Sequence, residues 1–178
     1  MRSNSVSPTD FFIAIDVSGS MRGPRIEEAK NAYLKLITDT LDLDTHRLGL
    51  IAFGDNSECL CELTHNKNTL IAAAEKIKVF GGTNMSAAIK TAANKLSTSN
   101  NDKALIIITD GAPNSEMNTV KCADEAKKQI SIAAIGVQDA NKSFLDKIVS
   151  DSKLSFMVKD INKLSETFGQ AVHNLLAK

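Results

Sequence analysis

Phe11-Phe12-Ile13-Ala14-Ile15-Asp16-Val17-Ser18-Gly19-Ser20-Met21 is the stretch on which the fold turns. Five apolar residues, Phe11 to Ile15, run unbroken into an acid, the pattern of a strand buried on both faces of a parallel sheet. Asp16 then stands at the strand's carboxyl end. In open α/β sheets ligands bind beyond those ends, where strand order reverses, so a carboxylate followed by two hydroxyls in this place is a functional arrangement. Gly19 permits a tight loop because it has no Cβ to oppose positive φ, and Ser18 and Ser20 on either side of it can turn their hydroxyls toward Asp16. One carboxylate and two neutral hydroxyls suit magnesium or manganese, which take oxygen shells and keep some water, better than zinc, which prefers nitrogen or sulfur. The same residues also read as a capped strand-to-helix turn that needs no metal, since Ser and Asp are good helix caps. Two later stretches bear on the choice.

At 178 residues, 43% apolar and 24% charged, the chain has material for one hydrophobic core, and residues 9–178 are expected to form one domain. Acids and bases balance at 21 each, which removes any sequence-independent pull toward nucleic acid or an anionic membrane. Residues 1–8, Met1-Arg2-Ser3-Asn4-Ser5-Val6-Ser7-Pro8, are polar and expected to be disordered. The run from Phe11 to Ile15 is too short for a signal or membrane segment, so a soluble, cytoplasmic protein is expected. Three cysteines at uneven spacing make a poor disulfide framework. Cys59 and Cys61 would share a strand face near His65, a soft-metal fragment without a fourth ligand, and packing is the better reading for both and for Cys122.

Helix and strand patterns alternate along the rest of the chain. Ile26, Ala29, Tyr33, Leu34, Ile37 and Leu41 recur at helical spacing after Pro24. Arg47 to Phe53 reads as a strand, and a turn at Gly54-Asp55-Asn56-Ser57 leads to a shorter one from Cys59 to Leu63, a hairpin that implies an antiparallel edge. Helices are predicted from Asn68 to Val79 and, beyond Phe80-Gly81-Gly82-Thr83, from Met85 to Leu96, capped by Asn84 or Ser86. Ala104 to Thr109 is the most strand-like run and passes straight into Asp110-Gly111. A helix from Met117 to Gln129, a strand from Ile130 to Val137, a helix from Lys142 to Val149, a strand from Leu154 to Val158 and a helix from Ile161 to Leu176 follow. The alternation predicts an α/β fold: a doubly wound, Rossmann-like, mostly parallel six-stranded sheet with one short antiparallel edge strand and helices on both faces.

Asp16 and Asp110 each end a strongly apolar run, so both carboxylates fall on the carboxyl edge of the sheet, and Thr83 arrives there on a loop. Two carboxylates brought together repel, and a divalent cation between them removes that cost. This constellation resembles the von Willebrand factor A (vWA) family, whose metal-ion-dependent adhesion site (MIDAS) is built from Asp-x-Ser-x-Ser, a Thr in a later loop and an Asp at a further strand's end. Asp16-Val17-Ser18-Gly19-Ser20, Thr83 within Gly81-Gly82-Thr83, and Asp110 within Thr109-Asp110-Gly111 match these elements in order and spacing. The likeness runs from about residue 9 to 176. The compact form ending Ser20-Met21-Arg22-Gly23 looks most like stand-alone bacterial and intracellular members, including those linked to tellurite resistance and stress.

The resemblance implies a metal-dependent protein-binding module. Ser18, Ser20 and Thr83 would supply hydroxyl oxygens, and Asp16 and Asp110 would balance the charge of Mg2+, with Mn2+ or Ca2+ as substitutes. An Asp or Glu carboxylate of a partner protein would complete the shell. Met21, Arg22, Asp55, Asn56, Asn84, Met85, Pro113 and Asn114 are the expected exposed rim. The competing class is a magnesium-dependent phosphoryl-transfer enzyme of the haloacid dehalogenase kind, which needs a second acid two residues after the first; Ser18 stands there. No Walker lysine and no Gly-x-Ser-x-Gly elbow is present, and neither a nucleic acid, a membrane nor a small-molecule substrate is expected as a partner.

Overall fold

The computed structural model describes residues 6–177. Residues 1–5 of the segment expected to be disordered lie outside the described residues. Val6 to Pro8 have no regular structure, yet the Pro8 carbonyl already accepts a hydrogen bond from the Asp102 N–H at 3.1 Å.

Six strands, β1 (Thr9–Asp16), β2 (Arg47–Phe53), β3 (Ser57–Thr64), β4 (Asp102–Thr109), β5 (Ser131–Val137) and β6 (Ser155–Val158), form one sheet in the order β3-β2-β1-β4-β5-β6. Every neighbouring pair is parallel except β2 with β3, so the antiparallel strand lies at the edge as the Gly54-to-Ser57 turn signal implied. The connection from β1 leads toward one edge and that from β4 toward the other. Strand order therefore reverses between β1 and β4, and their carboxyl ends border the crevice. These two strands sit at the centre because they have nothing to show to water: Phe12 to Ile15 and Leu105 to Ile108 are all 0% exposed. Gly49 of β2 makes room for them, since a Cβ there would lie 2.2 Å from the Phe12 ring.

The helices are α1 (Pro24–Lys35), α2 (Lys67–Ala73), α3 (Met85–Leu96), α4 (Glu116–Ala126), α5 (Lys142–Ile148) and α6 (Leu164–Leu176). On one face α1 packs against α6, and the buried Tyr33 hydroxyl donates to the Leu70 carbonyl of α2 at 2.6 Å. On the other, α3 packs against α4 and α4 against α5. Crossovers leaving the sheet centre in opposite directions produce this two-sided cover. Asn66, Asn84, Ser115 and Asn141 cap α2, α3, α4 and α5 by accepting from a backbone N–H of the first turn.

Three helices end earlier than periodicity predicts. The first gives way after Lys35 to a π-helical turn, Leu36–Thr40, where the Thr38 hydroxyl bonds back to the Leu34 carbonyl at 3.1 Å. The second finishes in a 3-10 turn at Lys76 instead of Val79, because the chain straightens to let the Phe80 N–H reach the Val17 carbonyl at 2.7 Å. The fourth ends at Ala126 instead of Gln129.

At the amino edge of the sheet, Asp10 is a fully buried carboxylate. Burial pushes its pKa up, but Arg47 (Nε at 2.8 Å, Nη2 at 2.5 Å), Ser99 (2.5 Å) and Asn101 (3.3 Å) donate to it and hold it below the usual 3.8. One side chain thus ties β1 to β2 and to the α3–β4 loop. Arg47 is partly exposed and can rehydrate when its partner is lost, so Asp10→Ala is expected to cost about 2–4 kcal/mol in urea unfolding, whereas breaking the exposed Lys128–Glu125 pair should leave the midpoint almost unmoved. An acid whose folded pKa is depressed contributes stability above its unfolded value of 3.8, lost as pH falls through the folded value. The wild-type chain should therefore lose its advantage over Asp10→Ala below pH 3.8.

Candidate metal centre

The register that pairs Ile15 with Ile108 sets Asp16 beside Thr109 and leaves Asp110 one residue beyond, on the same edge. Asp16 and Asp110 are 0% and 2% exposed, unusual burial for carboxylates at a sheet terminus. One oxygen of Asp16 accepts the Ser18 N–H at 2.8 Å and the other accepts the Thr109 hydroxyl at 2.7 Å, which fixes the carboxylate plane. The Ser18 and Ser20 hydroxyls lie 2.9 Å apart, and the Ser20 hydroxyl donates to Asp110 Oδ1 at 2.8 Å. Ser20 has one hydroxyl proton, given to Asp110, so Ser18 must be the donor in the serine pair. Asp16, Ser18, Ser20 and Asp110 therefore form one connected arc, with Asp16 joined through the Ser18 N–H and the rest linked oxygen to oxygen. Gly19–Met21 is a 3-10 turn, which brings the two serine hydroxyls together across Gly19.

Thr83 stands on the adjoining loop, outside this arc. Three attachments hold that loop. The Thr83 N–H donates to the Asn114 side chain at 3.0 Å while the Asn114 N–H donates to the Thr83 carbonyl at 2.9 Å, joining it to the loop after Asp110. The Asp55 carboxylate accepts the Gly82 N–H at 2.7 Å, the Asn84 side chain donates to the Asp55 carbonyl at 3.1 Å, and the Gly19 N–H donates to the Gly81 carbonyl at 3.2 Å. Gly81 has φ +80° with the Asp55 carboxylate against it, a place where a Cβ would be both strained and blocked. Among the described residues the Thr83 hydroxyl has no protein hydrogen-bond partner, which leaves it available as a donor atom.

The expected rim is only partly a rim. Arg22, Asp55, Asn56 and Asn114 are exposed and Asn84 is half-buried, whereas Met21, Met85 and Pro113 are buried. Met21 closes the 3-10 turn and points into the core, and Met85 opens α3 on its inward face. Pro113 turns inward where the chain folds back to let Asn114 clasp Thr83. Asp55, Asn84 and Asn114 spend their polar atoms on the loops that carry the site.

Sequence reasoning missed two side chains here. Thr109 was readable only as the end of a strand, yet its hydroxyl orients Asp16. Arg25, in the first turn of α1, ion-pairs with Asp110 and sends its other nitrogens to Gln138 at 2.6 Å and Asp139 at 2.7 Å. Its signal was faint: a base five residues after Ser20 looks like helix surface until β5 is known to end beside it.

The donor set decides what fits. Two carboxylates and serine and threonine hydroxyls make an all-oxygen site for a hard divalent cation, and no cluster of three or more His, Cys, Asp or Glu gathers among the described residues. Burial pushes the Asp16 pKa up, and the charge of Asp110 pushes it further, against the hydrogen bonds from Ser18 and Thr109. A cation would relieve both effects. The soft-metal fragment comes apart: His65 Nδ1 lies 2.6 Å from the Leu43 carbonyl, and burial pushes the Cys59 thiol up to about 11. All three cysteines are free.

The family profile described as von Willebrand factor type A domain matches residues 10–170, and the chain belongs to this family of metal-dependent adhesion modules that mediate protein–protein interactions. It is 26% identical over 178 residues to the human (Homo sapiens) collagen alpha-6(VI) chain, covering 93% of this chain and 8% of that one. It is 30% identical over 157 residues to the mouse (Mus musculus) inter alpha-trypsin inhibitor, heavy chain 4, covering 78% of this chain and 16% of the relative. The chain thus spans less than a fifth of the length of either of these two relatives. Among solved structures it resembles proximal thread matrix protein 1 from the mussel byssus with a zinc occupied MIDAS motif, at TM-score 0.83 and 21% identity, over 96% of this chain and 46% of that one. The family match lends no support to the haloacid dehalogenase-like alternative.

Asn114→Ala removes one of the two bonds that clasp Thr83 and should cost about 1 kcal/mol. Hydrogen exchange of the Gly82 and Thr83 amides should quicken while that of the β4 amides stays unchanged. Unchanged protection at Thr83 would mean that Asn114 does not hold the loop.

Proposed function

We propose that residues 9–178 are one vWA unit acting as a metal-dependent protein-binding module, with Mg2+ held by Asp16, Ser18, Ser20, Thr83 and Asp110 and with Mn2+ or Ca2+ as substitutes. The observation that carries this reading is the hydrogen-bonded arc Asp16–Ser18–Ser20–Asp110, joined through the Ser18 N–H and the two serine hydroxyls, which gathers carboxylate and hydroxyl oxygens at the strand-order reversal. When bound, the metal would supply a Lewis-acidic position open to an Asp or Glu carboxylate of a partner protein. Asp16 and Asp110 balance charge, and the serine hydroxyls keep the site less negative than an all-carboxylate cage would be, which favours an incoming anion.

Exposed apolar side chains beside the site support a protein partner. Phe80 is 73% exposed, and its N–H is bonded to the Val17 carbonyl next to the motif. Met117 is 81% exposed at the start of α4, the helix that follows the Asp110 loop. Large apolar groups in water at an edge otherwise built of polar loops are the usual anchors of a contact surface. A non-enzymatic role is supported by membership in a family of protein-interaction modules. Ser18 bonds to Ser20 and Ser20 to Asp110, while the His46 ring accepts the Thr9 N–H at 3.1 Å at the opposite edge of the sheet. A cytoplasmic setting agrees with the composition, and no helix among the described residues is long and apolar enough to cross a membrane. Placement in a bacterial stress or tellurite-resistance type system rests on the Ser20-Met21-Arg22-Gly23 likeness alone.

Affinity capture from cell extract in Mg2+ and in chelator tests the proposal. Asp16→Ala should lose Mg2+ binding in calorimetry while keeping its circular dichroism, because nothing nearby replaces a charged ligand. Thr83→Ala, which removes one neutral donor of about six, should keep measurable Mg2+ binding yet fail to retain the chelator-sensitive partner. Full partner retention by Thr83→Ala would contradict the metal-bridged reading.

A further inference from the structure

Arg25 is the cationic side chain that ion-pairs with a site carboxylate among the described residues. Its guanidinium is shared three ways. Nη1 holds Asp110 Oδ2 and also lies 3.4 Å from the Ser20 carbonyl, Nε donates to Gln138 Oε1 at 2.6 Å, and Nη2 donates to Asp139 Oδ2 at 2.7 Å. The Asp110 side chain is 0% exposed, that of Arg25 22% and that of Asp139 81%. The arm on the site is therefore desolvated and strong, while the arm on Asp139 lies in water and yields readily. Gln138 holds its place at φ +50°, the one positive-φ residue other than glycine among the described residues, so the chain leaving β5 is bent at some cost to present these two acceptors.

We propose that Arg25 is a tethered competitor for the metal at Asp110, a residue that sets how tightly the site holds a divalent cation. The inference rests on the metal-binding reading above. Both oxygens of Asp110 are engaged, Oδ1 by the Ser20 hydroxyl and Oδ2 by Arg25. Pairing with Arg25 cuts the charge offered by Asp16 and Asp110 together from two negatives to one. A divalent cation entering the arc meets a half-neutralised site and a fixed positive neighbour, and both lower its affinity. The Gln138 and Asp139 arms give the guanidinium a resting place once it releases Asp110. The site is thereby tuned for exchange of the ion rather than for its permanent retention.

The test uses the full chain with Arg25→Gln, which keeps donors but removes the charge, and Arg25→Lys, which keeps the charge. Calorimetric titration with MgCl2 should find Arg25→Gln binding at least about tenfold tighter than wild type, with Arg25→Lys close to wild type. In chelator Arg25→Gln should melt below wild type, having lost the Asp110 pair, and its melting temperature should rise further on adding Mg2+. Equal or weaker Mg2+ binding by Arg25→Gln overturns the proposal. Binding by none of the three proteins overturns the metal reading itself, and the proposal with it. Should Arg25→Gln fail to fold, side-chain NMR of the wild type decides: the Arg25 Nε–H resonance should move as Mg2+ is added while that of Arg47, paired at the far edge, stays still. An Arg25 resonance that stays still while Mg2+ binds would overturn it equally.

Discussion

Two buried carboxylates at the ends of neighbouring parallel strands repel, and the carboxyl edge of this protein is organised around meeting that cost. Asp16 and Asp110 are forced together by the β1–β4 register, which is itself forced by the need to bury Phe11 to Ile15 and Leu105 to Ile108 side by side. Water is excluded from both acids, so fixed hydrogen bonds must replace it. Ser18, Ser20 and Thr109 supply part of that replacement and Arg25 supplies the charge. The result is a site in which, among the described residues, no buried side-chain nitrogen or oxygen lacks a partner, yet the matching donors include small hydroxyls able to turn their lone pairs to a cation.

The loops around the site are as constrained as the acids. The Gly81–Thr83 loop is stitched to three neighbours: to the first motif through Gly19, to the β2–β3 turn through Asp55, and to the loop after Asp110 through Asn114. A contact made at Thr83 would thus be felt by the segments bearing Asp16 and Asp110 without any long-range pathway. The amino edge is built on the opposite principle. There the single acid Asp10 meets the guanidinium of Arg47 and two neutral donors, which makes it a structural tie. Two buried aspartates on one strand, Asp10 and Asp16, serve opposite ends because of what the neighbouring strands bring to each.

Much of this was legible in the residues. Apolar runs ended by acids marked the central strands, the Gly54-to-Ser57 turn marked the antiparallel edge, and Asn84 marked the start of α3. What was not legible depended on tertiary geometry. Met21, Met85 and Pro113 sit in loop sequences that flank the motif, and nothing local says that a 3-10 turn, a helix start and a folded-back loop turn each of them inward. Arg25 reaches Asp110 because β5 ends beside α1, a relation between segments more than a hundred residues apart. The first helix changes to a π turn after Lys35, where Thr38 bonds back to Leu34, and the second ends at Lys76, ahead of the Phe80–Val17 bond: a local side-chain bond in one case and a tertiary backbone bond in the other override periodicity.

The most direct measurement is anomalous diffraction from crystals grown with MnCl2. The account predicts one strong manganese peak at the carboxyl edge of the sheet, within bonding distance of Ser18 and Ser20 hydroxyl oxygens and bordered by Asp16, Thr83 and Asp110. A peak elsewhere, or no peak beside the serines at manganese concentrations that saturate binding in solution, would contradict it.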